Sequence, residues 1–166
     1  WWILILSGVI AYMLFMIYSE PEYNKAFQFI LPGLTITFLS TFVSFIVALF
    51  LGLISGIGRI SKNKFASTIS RTYIEFIRGV PVLILIFTIA FVVVVRGAEF
   101  FNINNGNVPM LIRAIIALSV FYGAYIAEVF RAGIESVPVG QREGGASLGL
   151  SERQVMRYIV LPQAFR

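Results

Sequence analysis

Four apolar runs divide this sequence: Trp1 to Tyr18, Leu34 to Ile57, Pro81 to Val95 and the stretch between Arg113 and Arg131. A spanning α-helix needs roughly 20 predominantly apolar residues, and inside lipid each backbone N–H and C=O must find its partner within the protein. Continuous helix meets that demand segment by segment, whereas an open sheet does not. The expected fold is an all-α integral membrane protein, a helical bundle with four spans. Composition agrees, with 58% of the 166 residues hydrophobic, 13% charged and a mean hydropathy of +0.89, far from the balance of a water-soluble domain.

The net charge of +5 would also suit a nucleic-acid binder. Its placement points elsewhere. Arg59, Lys62, Lys64, Arg71, Arg78, Arg131, Arg142, Arg153, Arg157 and Arg166 fall in the segments 58–81 and 131–166, and Lys25, Arg96 and Arg113 fall elsewhere. Basic connections on one side of a bilayer are the positive-inside pattern, so both basic segments are expected on the cytoplasmic side. The sequence has no Cys, His or Asp, which removes thiolate and imidazole metal ligation, Cys or His catalysis and any disulfide framework.

Residues 1 to 18 read as a leading transmembrane helix with Ser7 as its clearly polar member. A signal peptide is the rival reading, but no basic segment precedes the run and Ser19-Glu20-Pro21-Glu22 is a poor cleavage site. A start at Trp rather than Met is expected of a chain whose true beginning lies upstream. Ser19 to Pro32 is expected to form a short outer connection carrying Glu20, Glu22 and Lys25. In the second run Thr37, Thr41, Ser44, Ala48, Gly52 and Ser55 recur at helical spacing, and Gly52 with Gly56 makes a small-xxx-small pair. Such a smooth face suits close helix packing or, alternatively, the lining of a solute path. Gly56 to Lys62 imitates a phosphate loop but fails as one, because Ser61 precedes Lys62 where Gly is required and Asn63 follows where Ser or Thr is.

Lys62 to Val80 is expected to be a basic, partly amphipathic cytoplasmic connection, with Phe65, Ile69 and Tyr73 four apart. Gly79 and Pro81 bend the chain there, and Arg78 reads as a headgroup anchor or as a solute contact. The run from Pro81 gives only about 22 Å of helix at 1.5 Å per residue, so flanking residues such as Phe76, Ile77, Phe100 and Phe101 must help it cross. Asn102 to Pro109 reads as an outer loop. From Arg113 to Arg131 is about 27 Å of helix, so the two arginines bracket one hydrocarbon thickness. Glu128 lies one turn inside Arg131. An ionisable group near the membrane is a functional candidate, and it is equally placed for an i,i+3 pair with Arg131.

The last stretch, Pro138 to Arg166, is too polar for lipid and has the grammar of two short helices. Pro138 and Gly140 close the preceding helix, Gln141 to Leu148 form the first short one, and Gly149 suits the left-handed position that ends it. Ser151 as N-cap, Gln154 three residues on and the pair Leu150 and Val155 form a capping box with a hydrophobic staple. Pro162 marks where the second helix ends or hands over.

This stretch resembles the EAA coupling loop of bacterial ABC-importer permeases, in particular the polar amino-acid uptake family of histidine, glutamine and general amino-acid permeases. That family runs Gly-Gln-x-Glu-Ala-Ala-x-x-Leu-Gly-Leu, then a Gln, then Leu-Pro-Gln-Ala. Gly140, Gln141, Glu143, Ala146, Leu148, Gly149, Leu150, Gln154, Leu161, Pro162, Gln163 and Ala164 carry the resemblance, while Gly144 and Gly145 stand where two alanines are expected. Arg78-Gly79-Val80-Pro81 is similar to the family's Arg-Gly-x-Pro segment, with Val80 where Thr is usual. Gly123 to Arg131 is similar to its Gly-Ala-Tyr-x-x-Glu-x-x-Arg segment.

The resemblance implies a permease domain over 33–166, with a coupling loop at 138–161 and a further spanning helix beyond the chain's end. It implies the membrane-spanning permease subunit of an ATP-binding-cassette importer, moving amino acids across the bacterial cytoplasmic membrane. The chain would not itself be an enzyme and would bind no cofactor, ATP and Mg being held by a separate ATPase subunit. An extracytoplasmic amino-acid-binding protein and a second copy or homologous permease complete the implied assembly. Residue by residue, Gly140, Gln141, Glu143, Gly144, Gly145, Ala146, Leu148, Gly149 and Leu150 become the ATPase-coupling set. In it Glu143 makes a polar contact, Gly144, Gly145 and Ala146 give close approach, Leu148 and Leu150 dock and Gly149 makes the turn. For Glu143 a solvated charge in the first turn is the plain alternative. Arg78, Gly79, Pro81, Tyr125, Glu128 and Arg131 become transport or gating candidates. An ATP-independent secondary transporter or channel and a membrane assembly scaffold are the other classes the residues allow. A secondary transporter usually needs carboxylates in mid-membrane, and Glu128 is close to one end.

Overall fold

The computed structural model describes residues 1–103 and 108–164, which are helical wherever they are regular, with no strand among them. Four segments are long and apolar enough to cross a membrane: Trp2–Ser19, Pro21–Ile60, Val82–Phe100 and Met110–Glu135. The chain divides into two compact units, Trp1–Thr41 and Phe42–Arg166.

The first unit holds α1 (Trp2–Ser19) and the beginning of α2 (Pro21–Arg59). α1 buries no residue, which suits a helix bathed in lipid. The connection expected over Ser19 to Pro32 is instead mostly helix. Glu20 alone separates α1 from α2, and Pro21 occupies the first helical position, where a missing N–H costs nothing. Pro32 lies inside α2. Polar pairs one turn apart, such as Gln28 Nε2 donating to Asn24 Oδ1 at 2.8 Å, carry the helix through residues that looked like a loop.

The second unit is built on close packing of α2 against α6 (Met110–Glu135). The residues α2 buries are Ser44, Ala48, Gly52 and Gly56, four apart, so this part of the smooth face is a packing face, while Thr37 and Thr41 are exposed. A Cβ on Gly52 would stand 2.7 Å from Ile126 Cβ, and one on Gly56 would stand 3.2 Å from the Ala127 carbonyl. Hydrogen bonds extend the seam: Ser119 donates to the Ile115 carbonyl at 2.7 Å and approaches the Ser44 carbonyl at 3.3 Å. Association of helices in lipid rests on such contacts because no hydrophobic driving force separates lipid from leucine. Gly52→Ala is therefore expected to destabilise the bundle by about 1–3 kcal/mol, the usual cost of overpacking. Gly33→Ala in the same helix, where a Cβ meets nothing within 4 Å, is expected to be neutral or slightly stabilising. Thermal melting of the two detergent-solubilised variants checks the contrast.

α3 (Lys64–Gly79) begins with Asn63 accepting from the Phe65 amide at 2.9 Å. It is more than a solvent-side connection. Ile74 and Ile77 are buried, and Tyr73 donates from its hydroxyl to the Val120 carbonyl at 2.6 Å, well inside α6. Phe65 and Ile69 remain exposed, so the expected stripe of Phe65, Ile69 and Tyr73 is split. The reason is register: Tyr73, Ile74 and Ile77 share a face that Phe65 does not.

Val80 and Pro81 are extended and separate α3 from α4 (Val82–Thr88), as the restriction on a residue before proline demands. A π-helical turn, Ile89–Val93, leads into α5 (Val94–Phe100), so the third crossing is longer than the apolar run alone. Ile77, Leu85, Ile89, Ala90, Ala117, Phe121 and Ala124 form the core between this crossing, α3 and α6. Part of the outer loop expected over Asn102 to Pro109, residues 104–107, lies outside the described residues, as does Arg166.

Candidate functional site

Two features meet at the basic end of α6: a capped hairpin and a cluster of arginines and glutamates. The hairpin's first helix, α7, runs Val139–Ser147, two residues earlier than expected at its start, so Gly140 lies inside it rather than closing α6. α7 ends in a Schellman motif. The Gly149 amide donates to the Ala146 carbonyl at 2.9 Å and the Leu150 amide to the Gly145 carbonyl at 3.2 Å. Gly149 takes φ +80°, where an L side chain is strained.

Ser151 then caps α8 (Glu152–Val155) with a complete capping box, its own amide donating to Gln154 Oε1 at 2.8 Å. A π-helical turn, Met156–Val160, hands over to α9 (Leu161–Ala164), which contains Pro162. α7 touches this second arm closely: a Cβ on Gly145 would stand 2.5 Å from Ile159 Cδ1 and 3.1 Å from Val155 Cγ2. Gly144 has open space around it. The two glycines that replace alanines thus differ, the second giving close approach within the hairpin and the first facing outward.

The hairpin's inner face is fastened to the end of α6. Ile134, Val137, Val155 and Val160 form one buried cluster, with Leu150 packed against it. Arg142 reaches back to donate to the Ile134 carbonyl, and Lys62 pairs with Glu152 across the surface. Leu150 is therefore half-buried, one side packed into the staple. Leu148 at the turn is 83% exposed. Gly140, Gln141, Glu143 and Ala146 are exposed beside it. Glu143 and Ala146 also line a groove of about 890 Å³ with Lys62, Leu150 and Arg153.

Glu128 is the hub of the second feature. Its Oε2 lies 2.9 Å from Arg59 Nη1 and 3.5 Å from Arg78 Nη1, while Oε1 accepts from Arg131. Three guanidinium groups on α2, α3 and α6 thus share one carboxylate whose side chain is 20% exposed. The cluster extends outward through Glu75, 3.1 Å from Arg71 and 3.9 Å from Arg59, and through the pair of Arg131 with Glu135. Ionisable groups this close to lipid are tolerable when they neutralise one another. Arg78 also lies 5.6 Å from the centre of the Tyr125 ring. Arg78 thus joins the bundle's own charge cluster. Gly79 ends α3 in open surroundings, and Pro81 sits at the start of α4.

Arg59, Arg71, Glu75 and Glu135 enter the cluster although the motif reading passed over them. Arg71 with Glu75 and Arg131 with Glu135 carry a signal in i,i+4 spacing. For Arg59 the signal is weaker, a lone cation closing a span.

This is a multi-span α-helical membrane protein with a rigid hairpin fixed to its basic end. Comparison with known proteins narrows the class. The chain belongs to the family described as binding-protein-dependent transport system inner membrane component, which matches residues 48–166. Among relatives, it is 37% identical over 142 residues to the probable amino-acid ABC transporter permease protein YckA of Bacillus subtilis (strain 168), covering 86% of this chain and 59% of that protein. It is 31% identical over 171 residues to the glutamate/glutamine/aspartate/asparagine transport system permease protein BztC of Rhodobacter capsulatus, covering 96% of this chain and 38% of that one. A crystal structure of an amino acid ABC transporter with histidines shares the fold, with a TM-score of 0.74, 32% identity, and coverage of 87% of this chain and 64% of that chain. The chain thus spans 59% and 38% of the lengths of these two relatives.

Proposed function

We propose that the chain is the membrane-spanning permease subunit of an ATP-driven amino-acid importer. The observation that carries this reading is Leu148, an apolar side chain held almost fully open at the tip of a hairpin whose other face is locked onto α6. Gly140, Gln141, Glu143 and Ala146 of the coupling motif are exposed with Leu148, and a cytoplasmic ATPase subunit that grips this face gives a reason for the motif to stand there. ATP is bound and hydrolysed by that partner, and this chain contributes no catalytic residue. An extracytoplasmic binding protein delivers the amino acid to the opposite face, and a second permease, identical or homologous, completes the path.

The mechanism is mechanical. Closure of the ATPase pair on ATP moves the hairpin as one body, because its two caps leave little slack at the turn. The Ile134 and Val160 cluster passes the displacement to α6. From α6 the Glu128 cluster and the tight α2 seam pass it to α2 and α3, so several spans shift together. Glu143, exposed on the first turns of α7, makes a polar contact with the ATPase.

Co-purification of the full-length protein with its cognate ATPase tests this reading. The natural sequence is expected to retain the ATPase, and Glu143→Arg to release most of it while still inserting in the membrane. Retention of no ATPase by either form would move an ATP-independent transporter to first place.

A further inference from the structure

Next to the Glu128 cluster lies a polar pocket of about 270 Å³, walled by Arg59, Ile60, Ser67, Arg71, Arg131 and Glu135. We infer that this pocket is a binding site for a phosphate group, carried by an anionic phospholipid headgroup or free in solution.

Three arguments converge. The first is charge. Three arginines and one glutamate form the wall. The wider network sets the guanidinium groups of Arg59, Arg71, Arg78 and Arg131 against the carboxylates of Glu75, Glu128 and Glu135, which leaves one positive charge over. The second is chemistry. Arginine presents N–H donors in a planar fork that fits phosphate oxygens two at a time. Arg71 meets Glu75 through Nε and its side chain is 66% exposed, so it can add a second partner without leaving the first. Ser67 donates to the Arg59 carbonyl at 3.1 Å and holds the α3 wall against the end of α2.

The third argument is position. Arg59 is the last residue of α2, and Arg131 lies one turn before the end of α6. Both ends belong to the basic side, where headgroup phosphates of the cytoplasmic leaflet lie. α3 also exposes Phe65, Ile69 and Phe76 on its surface, an apolar stripe that acyl chains can cover. This inference needs the membrane placement alone and stands apart from the transport reading.

The test uses the full-length protein, stripped of lipid in mild detergent. Melting temperature is followed against phosphatidylglycerol, phosphatidylcholine and inorganic phosphate, and retained lipid is counted by native mass spectrometry. Saturable stabilisation is expected with phosphatidylglycerol or with phosphate, and little with zwitterionic phosphatidylcholine. Stabilisation by phosphatidylglycerol alone assigns the site to a lipid, and stabilisation by millimolar phosphate alone assigns it to the free anion. Arg71→Gln is expected to weaken the apparent affinity by about fivefold, the equivalent of about 1 kcal/mol per basic residue at an anionic surface. Arg71→Lys keeps the charge without the fork and is expected to fall between. Arg153→Gln, on α8, is expected to bind like the natural sequence. Absence of stabilisation by either ligand, equal affinity in Arg71→Gln, or an equal loss in Arg153→Gln would overturn the assignment.

Discussion

Glu128→Leu is expected to destabilise the bundle by about 3 kcal/mol, near the lower figure for breaking a buried ion pair by removing one partner. The lower figure applies because part of the Glu128 side chain still reaches solvent. The loss is large because one carboxylate serves Arg59, Arg78 and Arg131, and its removal leaves three like charges facing one another on three helices. Neutral Glu128→Gln keeps the shape and one of the two acceptor oxygens, and is expected to lose less. Melting of the detergent-solubilised protein measures both. The double variant Glu128→Leu with Arg59→Leu gives the decisive comparison. If the pair holds α2 to α6, the two losses together should fall short of their sum by about 0.5–3 kcal/mol, the range for groups in contact. Additive losses would mean that the cluster does not bind the helices together. A Glu128→Gln variant that melts normally but no longer supports uptake would give this carboxylate a part in the transport cycle itself.

The sequence carried the large features because they depend on local rules. Apolar run length marks the spans, and cap chemistry at Ser151, Gln154 and Gly149 marks the hairpin, since a capping box and a left-handed glycine leave little freedom. Its failures have physical causes too. Pro21 to Pro32 read as a loop because proline and polar residues suggest one, yet proline at a first helical position and side-chain pairs one turn apart are compatible with helix. The depth of α3 was missed because the register that puts Tyr73 and Ile77 on α6 depends on another helix's surface. The same holds for the site. Glu128 and Arg131 are visible as neighbours on one helix, whereas the meeting of Arg59 and Arg78 with Glu128 is a product of tertiary packing across long separations. Leu150 carries two readings in the sequence, a staple with Val155 and a docking side chain; it packs against the staple's cluster, while Leu148 stays open.

Gly149→Val is expected to abolish most uptake while leaving the protein inserted in the membrane. At φ +80° a valine meets its own backbone, and a residue forced into such a region costs about 1–3 kcal/mol. The global fold does not depend on this turn, because the cluster of Ile134, Val137, Val155 and Val160 and the helix seams lie elsewhere. The strain therefore falls on the Schellman bonds from the Gly149 and Leu150 amides, which set the angle between α7 and α8. At about tenfold in population per 1.4 kcal/mol, that strain raises frayed forms of the hairpin relative to the rigid one by about 5- to 150-fold, and in them Leu148 is presented in many orientations. In the reconstituted complex, ATP hydrolysis should then continue without matching uptake. Gly149→Asn, which tolerates the left-handed region far better, should recover much of the transport. Full uptake by Gly149→Val would show that a stiff hairpin is not what transmits the force.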